Sequence, residues 1–264
     1  MCFDTKCKIC KVPIKVLMND TILGKYKINY YLCSNCNCIY TENPYWLEEA
    51  YNESIAITDT GIMARNISIC NKLMKIFTKY FDSNIKVVDY GGGYGILTRM
   101  LRDNGVDALW QDKYSTNILS RGFEYDGISN ADVILAFEVI EHLPNPLEVI
   151  KEIMSKTDCF IFSTQLLEKL DYKSNNEWWY FAPESGQHIF FSSEKTLYKI
   201  AEILKCKYTN INGLHILHRP DILVKANEKS IFNKISSKFH LSKKNMFKSK
   251  TWDDHIYLKS LKKL

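Results

Sequence analysis

The stretch VVDYGGGYG, residues 87–95, decides how the rest of the chain is read. An apolar run at 85–90 leads into it and an apolar-periodic segment at 96–102 leads out, so the order is strand, glycine turn, helix. Glycines tolerate positive φ and let the backbone come close to a ligand. Asp89 stands just ahead of the turn. The next strand, 106–111, is followed by Asp112. That lies about 20 residues past the glycines, where a carboxylate can accept hydrogen bonds from ribose hydroxyls. Dinucleotide sites grip a pyrophosphate with GxGxxG at a helix N-terminus. Here the run is GGGYG, and the carboxylate ahead of it opposes a diphosphate and suits a cationic amino group.

Outward from this turn, short apolar runs alternate with helical patterns. Strands are expected at 131–137, 159–163, 206–211 and 221–225, and helices at 62–81, 146–155 and 193–204. Asn145 and Pro146 fit the start of one helix, and Ser192 or Ser193 caps another. Such alternation predicts an α/β fold, a doubly wound and mostly parallel sheet covered on both faces.

The whole chain has 264 residues, 46% apolar and 25% charged, with a net charge of +5. These are ordinary globular values. No apolar run approaches the 18 or so residues that span a bilayer. The first residues lack the apolar core of a signal peptide, so a cytoplasmic location is expected. The basic residues are 30 Lys and five Arg, a poor match to proteins that read bases with Arg forks. Residues 229–264 hold ten Lys against two Asp. They read as a solvated helical tail or as a patch for a polyanion or membrane surface.

Five of the nine cysteines lie between positions 7 and 38. Cys7-x-x-Cys10 and Cys33-x-x-Cys36 form two knuckles that can supply four thiolates to a tetrahedral Zn²⁺. Cys38 fits the knuckle spacing less well and is left out of this set. A module of about 40 residues rarely folds on its own core, which gives a metal a structural purpose. The expected organisation is a zinc-ribbon-like module at 1–40, a linker at 41–61, an α/β domain at 62–228 and the Lys-rich tail at 229–264.

DYGGGYG resembles the first motif of class I S-adenosylmethionine (SAM)-dependent methyltransferases. The run Asp132-Val133-Ile134-Leu135-Ala136-Phe137-Glu138-Val139-Ile140-Glu141-His142-Leu143-Pro144-Asn145-Pro146 is similar to that family's fourth-strand motif and following helix, and residues 159–164 to its fifth strand. The resemblance covers about 62–226. It implies a Rossmann-like sheet of seven strands. It also implies that Asp89, Gly91, Gly92, Gly93 and Tyr94 hold the methionine part of SAM, Asp112 the ribose, and that Phe137 and Glu138 flank the cofactor. Tyr94 stands where a small residue is frequent. Glu141 and His142 read as a network fixing the loop after the fourth strand, or as groups near a metal, as in related quinone-pathway methyltransferases.

Residues 177–189, EWWYFAPESGQHI, follow the fifth strand, where such enzymes admit substrate. Trp178, Trp179 and Tyr180 offer aromatic faces for a sugar or a base, with His142 as a further contact, or else they are core. His188 is expected as general base. The full pattern resembles bacterial methyltransferases of sugar and capsular-polysaccharide biosynthesis. This implies O-methylation of a nucleotide-activated sugar or another nucleotide-linked precursor, a phosphoramidate included. C-methylation of a keto-sugar, RNA methylation and a non-enzymatic SAM-fold protein are the alternatives. The Asn/Asp-Pro-Pro-aromatic motif of exocyclic-amine methylases is absent, which argues against a nucleic-acid substrate.

Overall fold

The computed structural model describes residues 6–51, 60–223 and 247–261. The elements follow in the order β1 (Lys15–Ile22), β2 (Tyr26–Leu32), β3 (Ile39–Thr41), α1 (Leu47–Ala50), α2 (Ile62–Tyr80), β4 (Lys86–Tyr90), α3 (Ile96–Asp103), β5 (Asp107–Gln111) and β6 (Val133–Phe137). After these come α4 (Pro146–Lys156), β7 (Cys159–Ser163), β8 (Phe190–Phe191), α5 (Glu194–Ile203), β9 (Lys207–Ile211), β10 (Leu214–His218) and α6 (Thr251–Leu261).

Six strands make the larger sheet, in the order β5-β4-β6-β7-β10-β9, with β4 parallel to both β5 and β6. This corrects the expected count of seven among the described residues. The strand expected at 221–225 is also absent: residues 220–223 are turn, and 224–225 lie outside the described residues. The late strand is β10 instead. Asn212 and Gly213 join it to β9, both at positive φ (55° and 81°). That is the two-residue hairpin an Asn-Gly pair favours. β6 and β7 are buried almost throughout, as strands covered on both faces must be.

By contacts the chain divides into two units. One comprises 1–56, 137–155 and 162–217, and the other 57–136, 156–161 and 218–264. In the first unit a four-stranded antiparallel sheet runs β1-β2-β3-β8. The strands next to the cysteine knuckles therefore share a sheet with Phe190 and Phe191, which pair with Tyr40 and Ile39. One core joins Tyr30, Ile39 and Trp46 to Tyr172, Trp178, Phe181 and Phe191. A short N-terminal segment that cannot bury enough surface alone completes its core with residues from 172–191. α5 begins with a capping box, Ser193 with Thr196, and both hydroxyls also donate to the carbonyl of Cys36.

In the second unit α2 presents Ile69, Leu73, Ile76 and Phe77 as its buried stripe. α3 buries Leu97, Leu101 and the stem of Arg102. Among the described residues no helix is long and apolar enough to cross a membrane.

Candidate active site

The second unit carries the glycine turn. Gly91, Gly93 and Gly95 sit at φ of 74°, 54° and 84°, a region open to glycine and strained for other residues. The amides of Gly91 and Gly92 both donate to the carbonyl of Gln111 (2.8 and 3.1 Å), tying the turn to the end of β5. The Gly93 amide donates to Asp112 Oδ2 at 2.9 Å, and its carbonyl accepts from Trp110 Nε1 at 2.9 Å. A Cβ on Gly92 would stand 2.8 Å from Trp110 Cδ1 and 3.0 Å from Asp89 Oδ2. The tightness is local, so the glycines are required by the protein itself before any ligand is considered.

Asp89 is 3% exposed and accepts from the Thr98 hydroxyl at 2.8 Å. Burial pushes its carboxyl up to about 6, with Asp112 adding to the rise and Thr98 opposing it. A buried carboxylate whose donors are the neutral hydroxyl and amide of Thr98 is poised to gain from a cation. Asp112 is committed to the backbone: besides Gly93, its Oδ1 accepts from the amides of Tyr114 and Ser115 at 2.7 and 2.8 Å. The residue expected to hold a ribose thus first shapes its own loop. Tyr94 is partly exposed, and its carbonyl accepts from the amides of Ile118 and Leu119.

The first unit carries a cluster of titratable side chains. Phe137 closes β6, and Glu138 follows at φ 55°, a conformation that costs a non-glycine residue energy and is found at functional positions. Its Oε1 accepts from the Ser163 hydroxyl at 2.6 Å. Glu141 is fully buried, with Oε1 accepting from the Tyr180 hydroxyl at 2.5 Å and Oε2 without a partner. Tyr180 also approaches Glu138 Oε2 at 3.2 Å. Burial and the two carboxylates hold its phenol well above the usual tyrosine range, so it remains a donor.

His142 Nδ1 lies 3.1 Å from the carbonyl of Gln187, and His188 Nδ1 lies 2.6 Å from that of Tyr180. A carbonyl only accepts, so each ring carries its proton on Nδ1 and keeps its lone pair on Nε2. The rings meet edge to face, with centroids 4.9 Å apart. Desolvation pushes His142 down to about 3, with His188 next to it adding to the fall. One ligand atom from each of Glu141, His142 and His188 lies within 4.8 Å of the others, a set able to hold a divalent cation.

The aromatic segment divides. Trp178 is 5% exposed and packed in the core, whereas Trp179 is 72% exposed. Tyr180 is buried, and its hydroxyl holds the carboxylates rather than standing free for a substrate. Glu141, which the sequence offers as part of a helix-entry network or as a group near a metal, joins the cluster with an orphaned oxygen.

The sulfur atoms of Cys7, Cys10, Cys33 and Cys36 also lie within 4.8 Å of one another. Amides of Ile9 and Cys10 point at Cys7 Sγ, and that of Cys36 at Cys33 Sγ, the arrangement of paired thiolate knuckles. Cys38 is buried against them, its sulfur 3.5 Å from that of Cys36 and 3.7 Å from that of Cys7. Four of these donors fit one tetrahedral ion, and the fifth thiol lines the set.

A family model described as a methyltransferase domain matches residues 63–206, more than half of the chain. Among curated proteins none matches. Among solved structures, magnesium protoporphyrin IX methyltransferase from Synechocystis PCC 6803 with bound SAM is 15% identical. The similarity covers 67% of this chain and 92% of that one, with a TM-score of 0.40. Mitomycin 7-O-methyltransferase MmcR is 13% identical over 66% of this chain and 60% of its own, also at 0.40. CalO1, a methyltransferase in calicheamicin biosynthesis, is 12% identical over 65% and 60%, at 0.41.

Proposed function

Because the chain belongs to this methyltransferase-domain family and is a SAM-dependent methyltransferase, we propose that it methylates an oxygen of a nucleotide-activated sugar or of another nucleotide-linked precursor of a surface polysaccharide. SAM is held by Asp89, the Gly91–Gly95 backbone and the loop of Asp112. The carboxyl of Asp89 pairs with the cofactor's ammonium. The resemblance to class I SAM-dependent methyltransferases adds Phe137, the last residue of β6, and Glu138, the next residue, as neighbours of the cofactor.

The observation that carries the oxygen reading is the acceptor cluster. Methylating a hydroxyl requires a proton to leave as the O–CH3 bond forms and the S–CH3 bond breaks. Carbonyls of Tyr180 and Gln187 fix both imidazoles with Nε2 as the basic atom. His188 is the member we assign as base. His142 stays neutral beside it. Tyr180, by bridging Glu138 and Glu141, sets the position of the loop that carries His188. Trp179 is the exposed aromatic face available to a saccharide or nucleobase. The nucleotide-linked sugar is supported by the resemblance of the combined pattern, knuckles, glycine turn and EWWYFAPESGQHI.

A second reading rests on Glu141 Oε2, buried without a donor among acceptors that converge on it. A divalent cation held by Glu141, His142 and His188 would supply Lewis-acid polarisation of the acceptor hydroxyl, and His188 would serve as ligand. Reconstituting metal-stripped protein separates the two. Activity that needs no added Mg²⁺, Mn²⁺ or Zn²⁺ leaves His188 as the base.

We assign Zn²⁺ to Cys7, Cys10, Cys33 and Cys36. Chelation is expected to expose β1–β3 to hydrogen exchange, and unchanged protection would remove the assignment. The substrate reading is tested with methyl-labelled SAM, the purified chain and an extract of its source. Label is expected in a nuclease-resistant nucleotide-sugar or polysaccharide fraction. Label destroyed with RNA would replace the sugar by a nucleic acid.

A further inference from the structure

The second cysteine knuckle repeats the backbone of the first, with one difference in side chain. In the first, the Cys7 amide donates to the Val12 carbonyl at 2.7 Å and the Lys11 amide to the Cys7 carbonyl at 3.0 Å. In the second, the Cys33 amide donates to the Cys38 carbonyl at 3.0 Å and the Asn37 amide to the Cys33 carbonyl at 2.8 Å. Lys11 and Asn37 hold the same left-handed backbone, at φ 61° and 58°. Val12 and Cys38 are therefore equivalent positions. Val12 is half-buried and places a hydrocarbon there. Cys38 is fully buried and places a thiol.

That thiol faces the other sulfurs. In a tetrahedral Zn²⁺ site with Zn–S bonds of about 2.3 Å, neighbouring sulfurs stand about 3.8 Å apart. The sulfurs of Cys7, Cys36 and Cys38 form a triangle with sides of 3.5, 3.6 and 3.7 Å, close to one face of such a tetrahedron. Cys38 also interacts with Cys33. The Cys10 sulfur lies 3.4 Å from that of Cys33, and Cys10 is the member of the five that is not buried. Two sets of four thus share Cys7, Cys33 and Cys36. Cys10 completes one from the half-exposed edge, and Cys38 completes the other from within. The knuckle that carries Cys38 is pinned to α5, because the hydroxyls of Ser193 and Thr196 donate to the Cys36 carbonyl at 3.3 and 2.9 Å. Packing alone asks only for a small apolar group at this position, as Val12 shows.

We propose that Cys38 is an interchangeable fifth ligand, which takes the place of Cys10 when the Cys10 thiolate leaves the ion. The inference rests on the assignment of Zn²⁺ to this cluster. Cys10 gives up its bond to the ion as Cys38 forms one. A ligating sulfur must be deprotonated, so the proton shed by Cys38 passes to the freed Cys10 sulfur, and the shell keeps four thiolates. The half-exposed ligand can then be lost to a reagent from solvent without release of the ion that holds the module together.

The test loads the full chain with Co²⁺, whose thiolate charge-transfer absorption rises with the number of bound sulfurs. Cys10→Ser, Cys38→Val and the double variant are compared with the parent. Valine is the residue the first knuckle places at the equivalent position, so it preserves the packing. Each single variant is expected to keep the parent's absorption per ion, since the remaining cysteine supplies the fourth thiolate. The double variant is expected to fall to the three-thiolate level. Its loss of metal affinity against a competing chelator should exceed the product of the two single losses by about tenfold or more, as for residues that share one site. A Cys10→Ser variant that drops to three thiolates, or fails to hold the ion, would overturn the proposal and leave Cys38 as packing. A drop in Cys38→Val alone would make Cys38 a permanent ligand and equally overturn it. A parent without four-thiolate absorption would remove the zinc assignment itself, and this proposal with it.

Discussion

The glycine turn and the acceptor cluster are built by opposite means. In the turn, seven consecutive residues from Asp89 to Gly95 do the work with the backbone, through amides on Gln111 and Asp112 and three positive φ values. In the cluster, Glu138, Glu141 and His142 come from one loop and Tyr180, Gln187 and His188 from another about 40 positions away. Side chains there meet side chains, and carbonyls serve to set tautomers. A backbone site tolerates no added Cβ but accepts changes around it. A side-chain site depends on the core beneath it. Substitutions should therefore fail for different reasons in the two places.

The largest effect is expected beneath the cluster. Trp178 packs against Tyr172, Tyr180, Phe181 and Phe191. Trp178→Ala should cost about 3–5 kcal/mol of stability by leaving a cavity. Its neighbour Trp179 is mostly exposed, so Trp179→Ala should stay within about 0.5 kcal/mol and act on the substrate KM alone. Denaturant unfolding of both variants checks this. Equal losses would mean the two adjacent indoles are not divided between core and surface.

The turn should break at a smaller magnitude but at one function. Gly95 has φ 84°, and a Cβ there would meet Asn117 Oδ1 at 2.9 Å and the Ser120 amide at 3.2 Å. Gly95→Ala should cost about 1–2 kcal/mol from the left-handed backbone. S-adenosylhomocysteine affinity should fall tenfold or more by calorimetry, while the protection of β1–β3 stays intact. A variant with full cofactor affinity would show that the turn does not form the cofactor's cradle.

This contrast also explains what could be read from the sequence. The order strand, glycine turn, helix, strand, acid is local, so periodicity and punctuation are enough to find it. The paired cysteines are found for the same reason, since each knuckle is a four-residue pattern. Cys38 illustrates the limit: its spacing says nothing of a sulfur that folding brings 3.5 Å from Cys36. Trp178 and Trp179 are chemically alike and adjacent, and only the fold separates them. Glu141 and His188 are 47 positions apart, and no periodicity connects a helix-entry acid to a histidine before β8. The hairpin between β9 and β10 did carry a local signal, Asn212-Gly213. An apolar run further along suggests a strand where the chain instead turns, and the seventh strand came from family resemblance rather than from any residue pattern.

The smallest expected effect separates a carboxylate that serves the protein from one that serves a ligand. Asp89 is buried and its carboxyl is pushed up to about 6, against about 3.9 in an unfolded chain. The folded chain therefore holds this proton more tightly than the unfolded chain. The group costs stability as pH rises from about 4 through about 6, and the cost persists above. An ammonium bound beside it reverses the preference, because pairing requires the ionised form. At pH 5 about one Asp89 in ten is ionised, and at pH 7 nearly all are. Affinity for S-adenosylhomocysteine should accordingly rise about tenfold between pH 5 and pH 7. Asp89→Asn should flatten that profile, lower the affinity at pH 7 and raise the ligand-free melting temperature above pH 6. A profile equally steep in the Asn variant would move the titrating group elsewhere.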